Sequence, residues 1–136
     1  MKREINISFL YFLIGILSGA FYREFSKFNG YEGNTILSLV HVHLLTLGGL
    51  FFLIVAIFCK ILDLYKNKNY IKFLILYNIS LILTVSMMFL RGIFEILQIP
   101  INKSLNGMIS GISGIGHIFI FVAFIMFYRI IIKEIK

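Results

Sequence analysis

The three histidines of the chain, His41, His43 and His117, are the residues best suited to chemistry. All three lie inside long apolar stretches, where an imidazole without a partner is costly, so histidines at such positions indicate a functional site. Neutral imidazole is also a common ligand of transition metals and of haem iron. The histidines therefore predict a cofactor or metal site inside a membrane, whereas no residue pattern predicts a catalytic group.

The spacing of His41 and His43 limits what this pair can hold. Residues at i and i+2 of a helix point about 200° apart, so the two rings lie on opposite faces and cannot coordinate the same ion. This geometry suits one ligand at each of two helix interfaces. A haem fits better than a small ion, because it is planar, apolar and takes one axial nitrogen from each side. Gly48 and Gly49 would let such a flat ring lie against the same helix.

Two arginines, Arg23 and Arg91, are candidate partners for the haem propionates, which are carboxylates that favour cations at a membrane surface. A competing interpretation pairs Arg23 with Glu24 and Arg91 with Glu95, and lets both arginines extend to the membrane interface.

The elements that position these residues are four apolar segments, at about residues 5–22, 35–59, 70–97 and 105–132. Each approaches the ~20 residues that cross a ~30 Å hydrocarbon core as a helix. The chain is 60% hydrophobic and only 14% charged. In lipid only helices and closed barrels satisfy every backbone amide, and continuous apolar runs lack the alternation of barrel strands. The sequence predicts an all-α, integral membrane four-helix bundle, a single transmembrane domain over residues 1–136 whose solvent is the lipid bilayer.

The distribution of basic residues predicts the orientation. Short connections make neighbouring helices antiparallel, which places nine of the 13 Lys and Arg residues on the side of the two termini and four on the other. The positive-inside rule then places both termini in the cytoplasm of a plasma-membrane protein. Membrane topology and anionic head groups account for the net charge of +7, so nucleic acid is not an expected partner. At 1.5 Å per residue, His41 and His43 lie about 9–12 Å and His117 about 18 Å from the outer ends of their helices.

Small residues predict faces of close helix packing. Gly15 and Gly19 form a GxxxG pattern in the first helix, and Gly107, Gly111 and Gly114 recur in the fourth. Packing within the chain is the simpler interpretation, and an oligomer contact is the alternative. Cys59 is the only cysteine, which excludes an intramolecular disulfide and a CxxC site.

Three stretches carry a resemblance to a known family: residues 39–49 (LVHVHLLTLGG), 21–25 (FYREF) and 114–117 (GIGH). Over essentially its whole length the chain resembles an uncharacterised bacterial family of small four-helix membrane proteins, a domain of unknown function. More distantly, the His41-x-His43 pair is similar to the His-x-His of the catalytic subunit of haem–copper oxidases. In that subunit the two histidines face opposite sides of one helix and each ligates a haem iron.

The oxidase resemblance implies an assembly. That subunit is built from three arcs of four helices, and here too the pair lies on the second of four helices. Three copies would form a ring in which His41 of one copy and His43 of the next flank a haem. The alternative keeps the haem within one chain or a dimer, between His117 and either His41 or His43. The copper site of the oxidases needs further histidines on a later helix; the third helix here has none, so an oxygen reductase is not expected.

The function expected from these features is that of a b-type haem-binding membrane protein. It would transfer electrons to or from a redox partner, or sense or handle a diatomic gas, as a homo-oligomer in which a trimer is favoured over a dimer. One rival is transport or handling of copper or another transition metal. The absence of a Cys or Met cluster, apart from the pair Met87 and Met88, argues against it. The other rival is a cofactor-free scaffold subunit.

Overall fold

The computed structural model describes residues 1–135, which form four long helices. These are α1 (Lys2–Phe28), α2 (Leu37–Leu62), α3 (Tyr70–Ile96) and α4 (Lys103–Glu134). Each is long and apolar enough to cross a membrane, as the sequence predicts for a multi-pass membrane protein. The largest difference is in α1, which continues to Phe28 instead of ending near Tyr22. Residues 23–28 include neither Gly nor Pro, and the helix ends only where Gly30 adopts a left-handed φ of 60°.

Helix α2 is not uniform, because residues Leu44–Leu50 form a π-helix between two α-helical parts. Two carbonyls of this segment accept hydrogen bonds from neighbouring helices. The Ser8 hydroxyl of α1 donates to the Gly49 carbonyl at 2.7 Å, and the Tyr77 hydroxyl of α3 donates to the Leu47 carbonyl at 2.9 Å. π-Helical segments are rare in proteins, and those that occur often lie at functional sites. This one begins immediately after His43.

Helices α2 and α3 occupy the centre of the bundle and α1 and α4 its flanks. In the most apolar stretch of each helix, 39% of the residues of α2 and of α3 are buried, against 17% for α1 and 28% for α4. Aromatic rings fill the space between the helices; Phe51 stacks on Tyr77 at 4.5 Å and Phe73 on Phe127 at 4.9 Å between ring centroids. The outer surfaces of α1 and α4 are apolar and exposed, as lipid-facing surfaces are.

Polar contacts close both ends of the bundle. At the end that carries the termini, here called the terminal end, the Tyr65 hydroxyl donates to Glu4 at 2.7 Å and the Asn67 amide donates to Glu134 at 2.9 Å. These bonds tie the α2–α3 connection to the start of α1 and to the end of α4. At the opposite end, here called the histidine end, the start of α2 lies against the end of α3. Successive helices therefore run antiparallel, as predicted.

The glycine patterns have different roles in α1 and α4. A Cβ added at Gly15 would lie 2.8 Å from the Leu45 side chain, and one at Gly19 would lie 3.4 Å from the His41 ring, so the GxxxG face packs within the chain. A Cβ at Gly107, Gly111 or Gly114 would meet no described atom within 4 Å. Packing within the chain is therefore the right interpretation for α1 and the wrong one for this face of α4.

Candidate functional site

The centre of the candidate site is a pair of imidazoles, His43 on α2 and His117 on α4. Their ring centroids lie 6.3 Å apart and their planes are nearly perpendicular, at 88°. Both rings line one cavity of about 260 Å³ between α2, α3 and α4. His43 is half-buried, whereas His117 is exposed at the edge of the cavity. The structure thus brings together two of the three histidines that the sequence singles out.

The tautomer of both rings follows from their hydrogen bonds. Nδ1 of His43 lies 2.9 Å from the Leu39 carbonyl, and Nδ1 of His117 lies 2.8 Å from the Ser113 carbonyl, each four residues earlier on the same helix. A carbonyl oxygen only accepts, so each Nδ1 carries the proton and donates it. No group in residues 1–135 bonds to either Nε2, so the lone pair of each is free. This is how a metal-ligating histidine is usually held, because the bond at Nδ1 fixes both tautomer and ring orientation.

The distance between the rings suits one metal ion. Imidazole nitrogens bind transition metals at ~2.0–2.1 Å, so two rings on opposite sides of one ion have centroids ~6 Å apart. The observed 6.3 Å matches that spacing. Among residues 1–135 no group of three or more His, Cys, Asp or Glu side chains is placed to hold a metal. Further ligands from this chain would have to be of another type.

Two methionines of α3, Met87 and Met88, form the third wall of the same cavity. Met88 is buried, with 6% of its surface exposed. Thioether sulfur is a soft ligand that suits Cu(I). From the sequence alone this pair is no argument for copper, since nothing in the sequence places it beside His43 and His117. In the structure the two methionines and the two imidazoles line the same cavity.

His41 lies on the opposite face of α2, as its spacing from His43 predicts. It packs beneath α1, where the Gly19 position approaches its ring. It does not line the cavity of His43 and His117. Its Nδ1 is buried and has no hydrogen-bond partner among the described residues. Buried polar atoms without a partner are rare, so this nitrogen calls for an explanation.

The two arginines differ in their relation to the site. Arg91 lines the cavity, and its Nη2 donates to Asn106 Oδ1 at 2.8 Å and to Ser110 Oγ at 2.6 Å, both on α4. The suggested pairing of Arg91 with Glu95 is therefore wrong. Arg23 forms an exposed ion pair with Glu24 at 3.7 Å, as the competing interpretation predicts, and it does not line the cavity.

The start of α2, which positions His43, is anchored by residues that sequence reasoning missed. Glu95 of α3 accepts hydrogen bonds from the Thr35 hydroxyl at 2.8 Å and from the Ile36 backbone N–H at 2.7 Å. One turn earlier in α3, Gly92 allows the backbone of α2 to approach closely, because a Cβ at this position would lie 2.6 Å from the Leu37 backbone nitrogen. A glycine and a carboxylate three residues apart share one helix face. That spacing is the signal by which the anchor could have been found.

The chain matches a protein family described as "Protein of unknown function (DUF2871)" over residues 1–134. It belongs to this family. The match covers all four helices and the three histidines of this DUF2871 member, and it confirms the expectation of a family without an assigned function. No curated protein and no solved structure matches the chain. The haem–copper oxidase resemblance therefore stays an expectation.

The size of the cavity decides how a large ligand would fit this DUF2871 chain. Its volume of about 260 Å³ is just below the ~300–1,000 Å³ of pockets for drug-sized ligands, and a haem is larger than most of these. Gly48 and Gly49 offer no flat surface, because the Tyr11 and Phe12 rings of α1 already fill the space over them; that expectation is wrong. A haem held by His43 and His117 would need more space than this cavity provides, and the face of α4 with Gly107, Gly111 and Gly114 is open.

Proposed function

We propose that this protein binds a b-type haem through His43 and His117 of one chain and serves in electron transfer. The carrying observation is the pair of rings 6.3 Å apart, each with Nδ1 bonded to its own helix and Nε2 free. The arrangement favours the alternative within one chain over a ring in which His41 and His43 of different copies share a haem. In that ring His41 would have to be reached from beneath α1.

The residues of the site fit such a group. His43 and His117 would supply the two axial nitrogens, and the Leu39 and Ser113 carbonyls would hold the rings in place. Arg91 would hold a propionate: a guanidinium has five N–H donors, and its contacts with Asn106 and Ser110 leave donors for a carboxylate. When bound, haem supplies one-electron redox chemistry. Because an imidazole is available for each axial position, electron exchange with a redox partner is favoured over gas handling.

The same proposal places the protein in the plasma membrane with both termini in the cytoplasm. Four long apolar helices support the membrane location, and the excess of Lys and Arg at the terminal end supports the orientation. The proposal also includes self-association of the chain as a trimer or a dimer. The face of α4 with Gly107, Gly111 and Gly114 supports self-association, because it is open and lies beside the exposed His117. A second copy on this face would cover a haem too large for the cavity.

Handling of Cu(I) is the second candidate, and one observation favours it. Met87 and Met88 line the cavity of the two imidazoles, and a set of imidazole and thioether ligands suits a soft monovalent ion. The cavity needs no enlargement for a single ion.

One experiment separates these functions. The full chain, purified in detergent from haem-replete cells, should show a Soret band that disappears in His43→Ala and in His117→Ala but persists in the matched control His41→Ala. Loss of the band in His41→Ala with retention in His117→Ala would instead support pairing between copies. A colourless preparation that contains copper by elemental analysis supports the second candidate. A colourless, metal-free preparation refutes both and leaves a cofactor-free scaffold.

A further inference from the structure

A second cavity, of about 510 Å³, lies at the terminal end of the bundle, at the opposite end of α4 from the candidate haem site. Arg129 and Lys133 of α4 line it together with Asn67 and Asn69 of the α2–α3 connection. Arg129 and Lys133 are four residues apart, so their side chains share one face of the helix. Two cations and two amides therefore surround one space.

Among residues 1–135, the two cations of this cavity outnumber the carboxylate next to it, which belongs to Glu134. Neither Arg129 nor Lys133 forms a salt bridge with any residue in 1–135. Asp63 is paired with Lys66 at 2.5 Å, whereas Glu134 accepts only a hydrogen bond from the neutral amide of Asn67 at 2.9 Å and keeps its single negative charge. The described residues therefore leave a net positive charge at this cavity, which favours an anionic ligand.

One wall of the cavity is fixed before any ligand binds. Asn67 is 8% exposed, its Nδ2 donates to Glu134, and its Oδ1 accepts from the Asn69 backbone N–H at 3.0 Å. The opposite wall contains apolar and aromatic residues of α4: Tyr128 and Ile132 line the cavity and are 64% and 53% exposed. Tyrosine is typical of the border between hydrocarbon and head groups. The cavity thus combines two exposed cations with a neighbouring surface that suits acyl chains.

We propose that this cavity binds the phosphate of an anionic phospholipid, between Arg129, Lys133 and Asn69, with the acyl chains along α4 beside Ile132. Basic pockets at the head-group level of transmembrane helices are suited to anionic lipids. A free phosphate shares the cationic contacts and lacks the apolar one. The neighbouring apolar surface is therefore what selects the lipid.

The test uses the full chain in a neutral detergent, with phosphatidylglycerol, phosphatidylcholine or inorganic phosphate as the added probe. Thermal unfolding and native mass spectrometry report binding. Phosphatidylglycerol should bind roughly tenfold more tightly than phosphatidylcholine, and the double variant Arg129→Gln with Lys133→Gln should lose most of that preference. The matched control Lys27→Gln with Lys103→Gln removes two exposed cations at the histidine end and should keep it.

Three results would overturn the proposal. These are equal binding of the two lipids, an equal loss of preference in the control variant, and stabilisation by inorganic phosphate as large as that by phosphatidylglycerol. If the double glutamine variant does not fold, Asn69→Asp tests the same site, since a carboxylate at the cavity should weaken phosphatidylglycerol binding; unchanged binding would contradict the proposal. None of these measurements involves haem or the histidines, so the outcome is independent of the proposed function.

Discussion

The imidazole rings of His43 and His117 have their centroids 6.3 Å apart and their planes nearly perpendicular, and each ring is tied through Nδ1 to a carbonyl of its own helix. Both rings line one cavity, and neither Nε2 has a hydrogen-bond partner among residues 1–135. His41, only two residues from His43, takes no part in the pair.

Imidazole added from solution should restore the Soret band of His117→Gly. His117 is exposed at the cavity edge, so a free imidazole can enter the space that its ring leaves. Rescue of His43→Gly should be weaker, because that ring is half-buried between α2 and α4. Optical titration of both variants measures the difference. Equal rescue at the two positions would show that the site is open on both sides.

The substitution Met88→Leu should separate haem from copper. Leucine nearly conserves the volume of this buried side chain, so the free energy of unfolding should change by less than ~1.5 kcal/mol. A haem held by two imidazoles would keep its Soret band. A Cu(I) site that uses the thioether would bind at least ~10-fold more weakly. A competition titration with a Cu(I) chelator measures this, and Met126→Leu, at the other end of the bundle, is the matched control.

The substitution Glu95→Ala should destabilise the protein by ~1–3 kcal/mol, since it leaves the Thr35 hydroxyl and the Ile36 N–H unpaired. Because these bonds fix the start of α2, haem occupancy should fall as well. Thermal unfolding in detergent and the ratio of Soret to protein absorbance measure the two effects. Glu24→Ala removes an exposed carboxylate near the end of α1 and should change neither. A stable Glu95→Ala variant with full haem would disprove the anchoring role.

The substitutions Ser8→Ala and Tyr77→Phe should each cost ~0.6–1.7 kcal/mol, the range found for hydrogen bonds between membrane helices. Each removes the donor to a carbonyl of the π-helical segment Leu44–Leu50. Ser18→Ala is the control, because that hydroxyl bonds only within α1, to the Gly15 carbonyl. Thermal unfolding compares the three variants. A larger loss for Ser18→Ala than for the other two would count against this role of the segment.

The orphaned Nδ1 of His41 gives a further expectation. Replacing His41 by Leu removes a buried nitrogen that lacks a partner, so stability should stay equal or rise. His41→Leu should unfold at the same or a higher temperature than the natural chain. A marked fall would indicate that His41 binds something that the single chain does not contain, as the ring arrangement requires.

Local rules sufficed for much of the molecule. Helix lengths follow from the thickness of hydrocarbon, and the opposite directions of His41 and His43 follow from the turn of one helix, so the four segments and the two faces could be read from residue order. The termination of α1 is a partial exception. The end of its apolar run predicts a helix end near Tyr22, whereas the helix continues until Gly30 breaks it.

Residue order alone predicts the four helices, their alternating directions and the concentration of histidines towards one end. Packing between helices brings His43 to His117, places Met87 and Met88 beside them, and fills the space over Gly48 and Gly49 with aromatic rings of α1. These contacts cannot be predicted from residue order because apolar helix surfaces look alike in composition. The pairing of helix surfaces depends on the fit of side chains across helices and on single long-range hydrogen bonds such as that from Thr35 to Glu95. Neither feature produces a periodic pattern in the sequence.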